Sequence, residues 1–276
     1  MSKKGVDLYN DVSYKAAMLL TAAYSTSFGL SISMLEEPIR PHVYAIYGMV
    51  RLADEIVDTF MVDTSSRLEV FRQAVHSSLR EKFSANPVLQ AFQKTYHTFG
   101  IDPNLIDAFF LSMAMDIDKK RFSRNEYEIY VYGSAEAVGL MCLAIFVRGD
   151  KKSYTALSNG AQRLGAAYQK INFLRDIQAD FTERGRIYFP ELSSLEELGE
   201  GKQALEAEAR EDLAQSRAAL KQLPRDARLG VELSARYYAA LLHKIEQTSA
   251  EKLIKKRIRI PNWQKMLIFL SVKLGA

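Results

Sequence analysis

Residues 168–190, YQKINFLRDIQADFTERGRIYFP, decide how this chain is read. Asn172, Asp176 and Asp180 recur every four residues, so on a helix they stack along one face, neighbours about 5–6 Å apart. Ile171, Phe173, Leu174 and Ile177 crowd around them, which fits neither a plain core stripe nor a plain solvated face. Like charges at this spacing cost a few tenths of a kcal/mol unless something positive lies between them. Oxygen-only donors suit a hard cation, and Mg²⁺ takes one or two carboxylates while water and substrate phosphates complete its shell. The segment leaves the helix through Thr182-Glu183-Arg184-Gly185-Arg186, two guanidiniums flanking a glycine. With uncompensated charges beside an acidic array, it suits a mobile basic flap that grips phosphate oxygens. Taken alone, the pattern also fits a charged helix followed by a turn.

Upstream, residues 45–60 read AIYGMVRLADEIVDTF, where Asp54 and Asp58 are again four apart. Arg51 lies three before Asp54 on the same face, whereas Glu55 is rotated about 100° away from it. Two acidic helical faces, each with an arginine close by, suit a diphosphate held through bridging Mg²⁺, and Mn²⁺ is compatible with the same oxygen donors.

These segments carry a resemblance. Arg51-Leu-Ala-Asp54-Glu55-Ile-Val-Asp58 and Asn172-Phe-Leu-Arg175-Asp176-Ile-Gln-Ala-Asp180, followed by Arg184-Gly185-Arg186-Ile-Tyr188-Phe-Pro190, closely resemble the two aspartate-rich signatures of the squalene/phytoene synthase family. Ser25-Thr-Ser27-Phe28 and Tyr130-Val-Tyr132-Gly-Ser-Ala-Glu136-Ala-Val-Gly139 extend the resemblance in the expected order over nearly the whole chain, which is most similar to the bacterial phytoene synthases. The resemblance implies an all-α fold, a single-domain isoprenoid-synthase-type bundle spanning 1–276 around a central hydrophobic cavity. It implies a Mg²⁺-dependent prenyltransferase that condenses two geranylgeranyl diphosphates head to head. Phytoene, the first carotenoid precursor, would form through a cyclopropylcarbinyl diphosphate with release of diphosphate. The same chemistry on farnesyl diphosphate, giving dehydrosqualene or squalene, stays open. A non-catalytic assembly factor is the reading from another class, and the four intact aspartates argue against it.

By the same resemblance Asp54, Asp58, Asn172, Asp176 and Asp180 hold the metal, and the four aspartates with Tyr132 are catalytic. Ser25, Ser27, Phe28, Tyr47, Arg51, Gln169, Asn172, Arg175, Arg184, Arg186, Tyr238 and Arg257 bind substrate. Read without it, Ser25 and Ser27 are hydroxyls ending the first helix, Phe28 is a core aromatic, and Tyr47 suits either core packing or a phosphate. Tyr237 competes with Tyr238 for the cavity position. Glu136 departs from the family, which often has Gly there. The resemblance further implies prenyl diphosphate substrates, handover to a carotenoid desaturase and a cytoplasmic enzyme, with peripheral contact at the inner face of the membrane open. NADPH is not expected, because no nucleotide fingerprint is visible. The final base is either a tyrosine hydroxyl or the released diphosphate.

The chain has 276 residues, 48% hydrophobic and 25% charged, a globular composition with ample core. A net charge of +4 argues for no nucleic-acid partner and is compatible with an anionic membrane surface. The single cysteine, Cys142, excludes an intrachain disulfide and reads as a buried small hydrophobe. The first fifteen residues lack the apolar core of a signal peptide, and the longest apolar run, 138–147, falls well short of the ~20 that span a bilayer. Helix-period apolar residues run through 8–28, 42–62, 66–83, 87–99, 103–119, 126–147, 153–181, 203–221, 225–249 and 262–272, with proline and glycine between them and no alternating run to make a sheet. The GxxxxGK[ST] loop is absent, none of the four histidines has a Glu three residues before it, and one cysteine leaves no zinc site. Lys255, Lys256, Arg257 and Arg259 form a basic run, by default solvated. In the tail from Pro261, Trp263, Met266, Leu267 and Leu270 share a face that either caps the core or meets a membrane, and capping is the expectation.

Overall fold

Proline, asparagine and aspartate set several of the helix starts. Asn86 accepts from the Val88 amide at 3.0 Å to open α5 (Pro87–Phe99), which ends at Gly100 in the left-handed region. Asp102 accepts from the Asn104 amide at 2.9 Å to open α6 (Pro103–Asp118), and Asp150 accepts from Ser153 at 2.8 Å to open the long α9 (Lys151–Thr182). Each such cap is worth about 1 kcal/mol. The computed structural model describes residues 3–60, 62–192, 194 and 197–275, and among these the only extended pairing is one isolated bridge, Arg121 to Ile187.

Three boundaries differ from the periodicity. The stretch 8–28 is two helices, α1 (Lys3–Tyr24) and α2 (Thr26–Ser33). Ser25 between them is extended, and its Oγ accepts from the Phe28 amide at 3.1 Å, so a side chain that competes with the helical backbone starts a new helix instead of ending the old one. The stretch 126–147 is α7 (Arg124–Val131), a single π turn (Tyr132–Glu136) and α8 (Ala137–Phe146). Gly133 in that turn lies so close to α6 that a Cβ would sit 2.1 Å from the Ala108 carbonyl, and the widened turn accommodates this approach. Together the three pieces form a 23-residue helix apolar enough to cross a bilayer, with 56% of its most apolar window buried inside the protein as a core helix is. Finally, 225–249 ends early and a short α12 follows, as given below.

The two long acidic-array helices are α3 (Arg40–Asp58) and α9; α4 (Thr64–Glu81), α5, α6 and α8 pack around α3 through Ile46, Met49, Phe92, Phe109 and Met141. A second core of Phe173, Leu174, Ile177, Tyr188, Phe189 and Leu205 joins the C-terminal half of α9 to α10 (Leu198–Gln222) and the loop between them. Then come α11 (Arg225–Glu246), α12 (Ala250–Leu253) and α13 (Asn262–Lys273). Between the cores runs a cavity of about 850 Å³, walled by α2, α3, α8, α9, α10 and α11. The last helix corrects the expected cap. Its Ile268, Phe269 and Val272 pack on Leu30, Met34, Leu233 and Tyr237, whereas Trp263, Met266, Leu267 and Leu270 face outward.

Candidate active site

Asp58 is the last residue of α3, and Asp180 lies two residues before the end of α9, so both arrays occupy the negative end of a helix dipole. That placement disfavours carboxylates, and a sequence tolerates it only where negative charge has a use. One guanidinium already spans the two arrays: Arg184 donates to Asp180 at 3.0 Å and to Asp58 at 3.3 Å. Arg175 donates to Asp176 Oδ1 at 2.9 Å, and Arg257 donates to Asp176 Oδ2 at 3.3 Å with its Nε 2.7 Å from Oδ1. Arg51 pairs with Glu55, reaches Asp54 only at 3.8 Å and lies 4.1 Å over the Tyr24 ring. Its buried Nε has no partner, a donor left over for an anion.

The electrostatics agree. Enclosure pushes the Asp54 carboxyl up to about 7, with Asp58 and Asp116 adding to the rise while Arg51 opposes it. Enclosure and the neighbouring Asp176 likewise push Asp180 up to about 7. Such carboxylates are short of positive charge. Among the described residues no three His, Cys, Asp or Glu side chains converge into a ready-made cage. Oxygen donors on two facing helices, bridged by a guanidinium and still under-compensated, fit a cation that takes one or two carboxylates and completes its shell with water and phosphate.

Below the mouth an aromatic collar closes on the cavity. The Phe28 ring lies 6.1 Å from Tyr47, 6.3 Å from Tyr168 and 6.0 Å from Tyr238, and Tyr168 stacks on Tyr238 at 3.8 Å. Tyr238 donates to Asn172 Oδ1 at 3.2 Å, tying the collar to the second array. A squalene/phytoene synthase profile matches residues 21–264, which takes in both arrays, the collar and the Arg184–Arg186 segment. The chain belongs to the squalene/phytoene synthase family.

Members of this squalene/phytoene synthase family are among its relatives at modest identity. It is 27% identical to a phytoene synthase from Arthrospira platensis over 96% of this chain and 93% of that one. It is also 27% identical to a 15-cis-phytoene synthase from Synechococcus elongatus, over 92% and 90%. A dehydrosqualene synthase structure superposes with a TM-score of 0.81 at 21% identity, covering 96% of this chain and 97% of that one. A squalene synthase from Alicyclobacillus acidocaldarius superposes at 0.74 with 20% identity, covering 87% and 95%.

Most of the expected substrate residues border one space. Ser25, Ser27, Phe28, Tyr47, Arg51, Asp54, Gln169, Asn172, Arg175, Tyr238 and Arg257 all line the cavity, while Asp58, Asp176, Asp180, Arg184 and Arg186 form the ion-paired rim beside it. Both candidate tyrosines of α11 reach the wall; Tyr238 serves the array, and Tyr237 gives its hydroxyl to the Lys265 carbonyl at 3.1 Å. Glu136 does not line the cavity and accepts from Gln162 at 3.2 Å.

Two expectations are corrected. Tyr132 is 36% exposed and outside the cavity lining, because it opens the π turn on the side away from it. The flap arginines are not uncompensated: Arg184 bridges the arrays, and Arg186, only 7% exposed, lies 3.4 Å from Asp58 and 3.7 Å from Asp116. Asp116 itself was invisible as a site residue. It is buried, accepts from Tyr130 at 2.6 Å and from Tyr188 at 2.8 Å, and its carboxyl is pushed up to about 6 by burial. The one signal in the sequence was an aspartate inside the apolar run MAMDI.

The raised carboxylates set a sign for stability. Asp54 and Asp180 hold protons in the folded chain that the unfolded chain, with its ordinary 3.8, has released; their contribution is present at low pH and lost as pH rises through about 7. Half-buried His42, held down at about 4 by desolvation, opposes this only as pH falls toward 6.5. Metal-free protein should therefore gain at most about 1 kcal/mol, roughly 2 °C in Tm, between pH 8 and pH 6.5, after discounting Asp54 for its open third. Thermal melts in chelator at the two pH values check this; a flat or falling Tm would mean that both carboxylates are already neutralised by their arginines.

Proposed function

We propose that this protein condenses two geranylgeranyl diphosphates head to head into phytoene, with Mg²⁺ at the two aspartate arrays. The family supports prenyltransfer of the phytoene/squalene kind. Cavity length favours the C20 chain over C15. From Asn172 to Leu157 the lining positions of α9 span fifteen residues, about 22 Å at 1.5 Å per residue. An extended tail of single bonds advances roughly 1.2 Å per bond, so the C20 tail needs about 19 Å and the C15 tail about 14 Å.

When bound, Mg²⁺ would supply Lewis-acid stabilisation of the departing diphosphate, held by Asp54 and Asp58 on α3 and by Asn172, Asp176 and Asp180 on α9. Arg51, Arg175 and Arg257 add donors at the mouth, and Arg184 and Arg186 add them from the rim. The C–O bond of the first substrate breaks and its electron pair leaves with diphosphate. The allylic cation then lies beside the faces of Phe28, Tyr47, Tyr168 and Tyr238, which exclude water and favour positive charge. The double bond of the second substrate attacks, a proton is lost, and a cyclopropylcarbinyl diphosphate forms. Its ionisation, rearrangement and loss of a second proton give the hydrocarbon. Burial holds Tyr47, Tyr168 and Tyr238 above the ordinary tyrosine value, so they stay neutral and the released diphosphate is the better base.

Purified protein incubated with Mg²⁺ and each labelled prenyl diphosphate, with and without NADPH, tests this reading. A C40 hydrocarbon from the C20 substrate, formed without NADPH, abolished by chelator and restored by Mg²⁺, is the expected result. Turnover in excess chelator would remove the metal from the arrays, and exclusive use of farnesyl diphosphate would overturn the chain length.

A further inference from the structure

Helix α13 is apolar on two opposite sides. The inner side is used, with Ile268, Phe269 and Val272 packed on α2 and α11. On the outer side Trp263 is 66% exposed, Leu267 57%, Met266 51% and Leu270 43%, and Leu274 follows just past the helix end. At about 100° per residue these five fall within one arc roughly 100° wide. An apolar helix side belongs against a core or lipid, and the outer side of this one meets no core.

Charge says what covers it. From Lys255 to the end of the chain there are six cations, Lys255, Lys256, Arg257, Arg259, Lys265 and Lys273, and no Asp or Glu. Lys255, Lys256 and Arg259 are exposed. Arg257 is paired with Asp176 and Lys265 turns to the cavity, so Lys255, Lys256, Arg259 and Lys273 are the exposed cations left to attract an anionic surface. The same segment borders the cavity, since Arg257, Arg259, Asn262 and Lys265 line it.

We infer that α13 docks the protein on an anionic phospholipid bilayer, with its outer apolar side seated at the acyl boundary and the flanking cations on the headgroups. The cavity lining then begins within one helical turn of the lipid. If the reading of the preceding subsection holds, a hydrocarbon product passes into the acyl phase without crossing bulk water. The docking itself does not depend on that reading.

The chain has one tryptophan, Trp263, so its emission reports on this face alone. Full-length protein is mixed with vesicles of phosphatidylcholine, alone or with phosphatidylglycerol, and followed by fluorescence and co-sedimentation. A blue shift and sedimentation with the phosphatidylglycerol vesicles are expected. Leu267→Ser with Leu270→Ser should weaken that partition at least ~10-fold, and Lys255→Glu with Lys256→Glu should erase the preference for anionic lipid. Tm and turnover on detergent-dispersed substrate should stay unchanged in both. Unshifted emission with no sedimentation overturns the inference, as does undiminished binding by the serine variant. A dimer in sedimentation that the serine variant dissolves would assign the face to a second copy and overturn it equally.

Discussion

Asp54→Asn and Asp176→Asn should each lower turnover by at least about 10²-fold, because in the proposed reaction each aspartate supplies negative charge that is used only when diphosphate and its cation are in place. Stability should separate the two. Asp54 is held up at about 7 by enclosure and by like charge from Asp58 and Asp116, so a neutral amide relieves repulsion and Tm should hold or rise slightly. Asp176 instead anchors both Arg175 and Arg257, and losing its charge leaves two guanidiniums facing each other. Its amide variant should melt earlier, by an amount worth about 1 kcal/mol for a partly exposed pair. Steady-state rates with saturating Mg²⁺, read beside thermal melts, check both points. Near-wild-type turnover in either variant would show that the arrays do not hold the reacting diphosphate.

The arrays were legible because helical register is local: four-residue spacing puts Asp54 with Asp58, and Asp176 with Asp180, on common faces whatever the rest of the chain does. The facing of α3 and α9 was an inference from charge, since two acidic faces with arginines suit one bridged diphosphate, and the resemblance supported it. What escaped was non-local. Asp116 matters through Tyr130, fourteen residues away, and Tyr188, seventy-two away, and no window of the sequence holds all three. The resemblance points to Tyr132, whereas Tyr130 is the buried tyrosine. Two residues apart on a helix they point about 200° from each other, and only packing against α6 and the loop after α9 decides which turns inward. The Arg184–Arg186 segment read as unpaired because its partners lie on other elements, with Asp58 more than a hundred residues upstream. Helix α13 misled for the opposite reason: periodicity finds an apolar stripe but does not say which of two stripes meets the protein.

On the proposed C20 reading, Ala161→Phe should shift the preferred substrate from the C20 to the C15 diphosphate. Along the α9 wall the cavity positions are Leu157, Gly160, Ala161, Leu164, Gly165, Tyr168, Gln169 and Asn172, a continuous i, i+3, i+4 ladder. Ala161 stands eleven residues from Asn172, about 16 Å down that wall at 1.5 Å per residue. A C15 tail ends short of it at about 14 Å and a C20 tail passes it at about 19 Å. The opposite wall is graded alike, since Val43 lines the cavity eleven residues from Asp54 on α3. A phenyl ring at 161 therefore obstructs only the longer tail, and a core with no slack cannot move aside without cost. We expect kcat/KM for geranylgeranyl diphosphate to fall at least ~10²-fold, about 2.7 kcal/mol of lost transition-state binding, while farnesyl diphosphate is used at least as well as before. Competition between the two labelled substrates, with the hydrocarbon identified by mass, reads the switch directly. An equal loss on both would mean that the ring has damaged the mouth or the fold. Unchanged C40 output would place the tails along another wall.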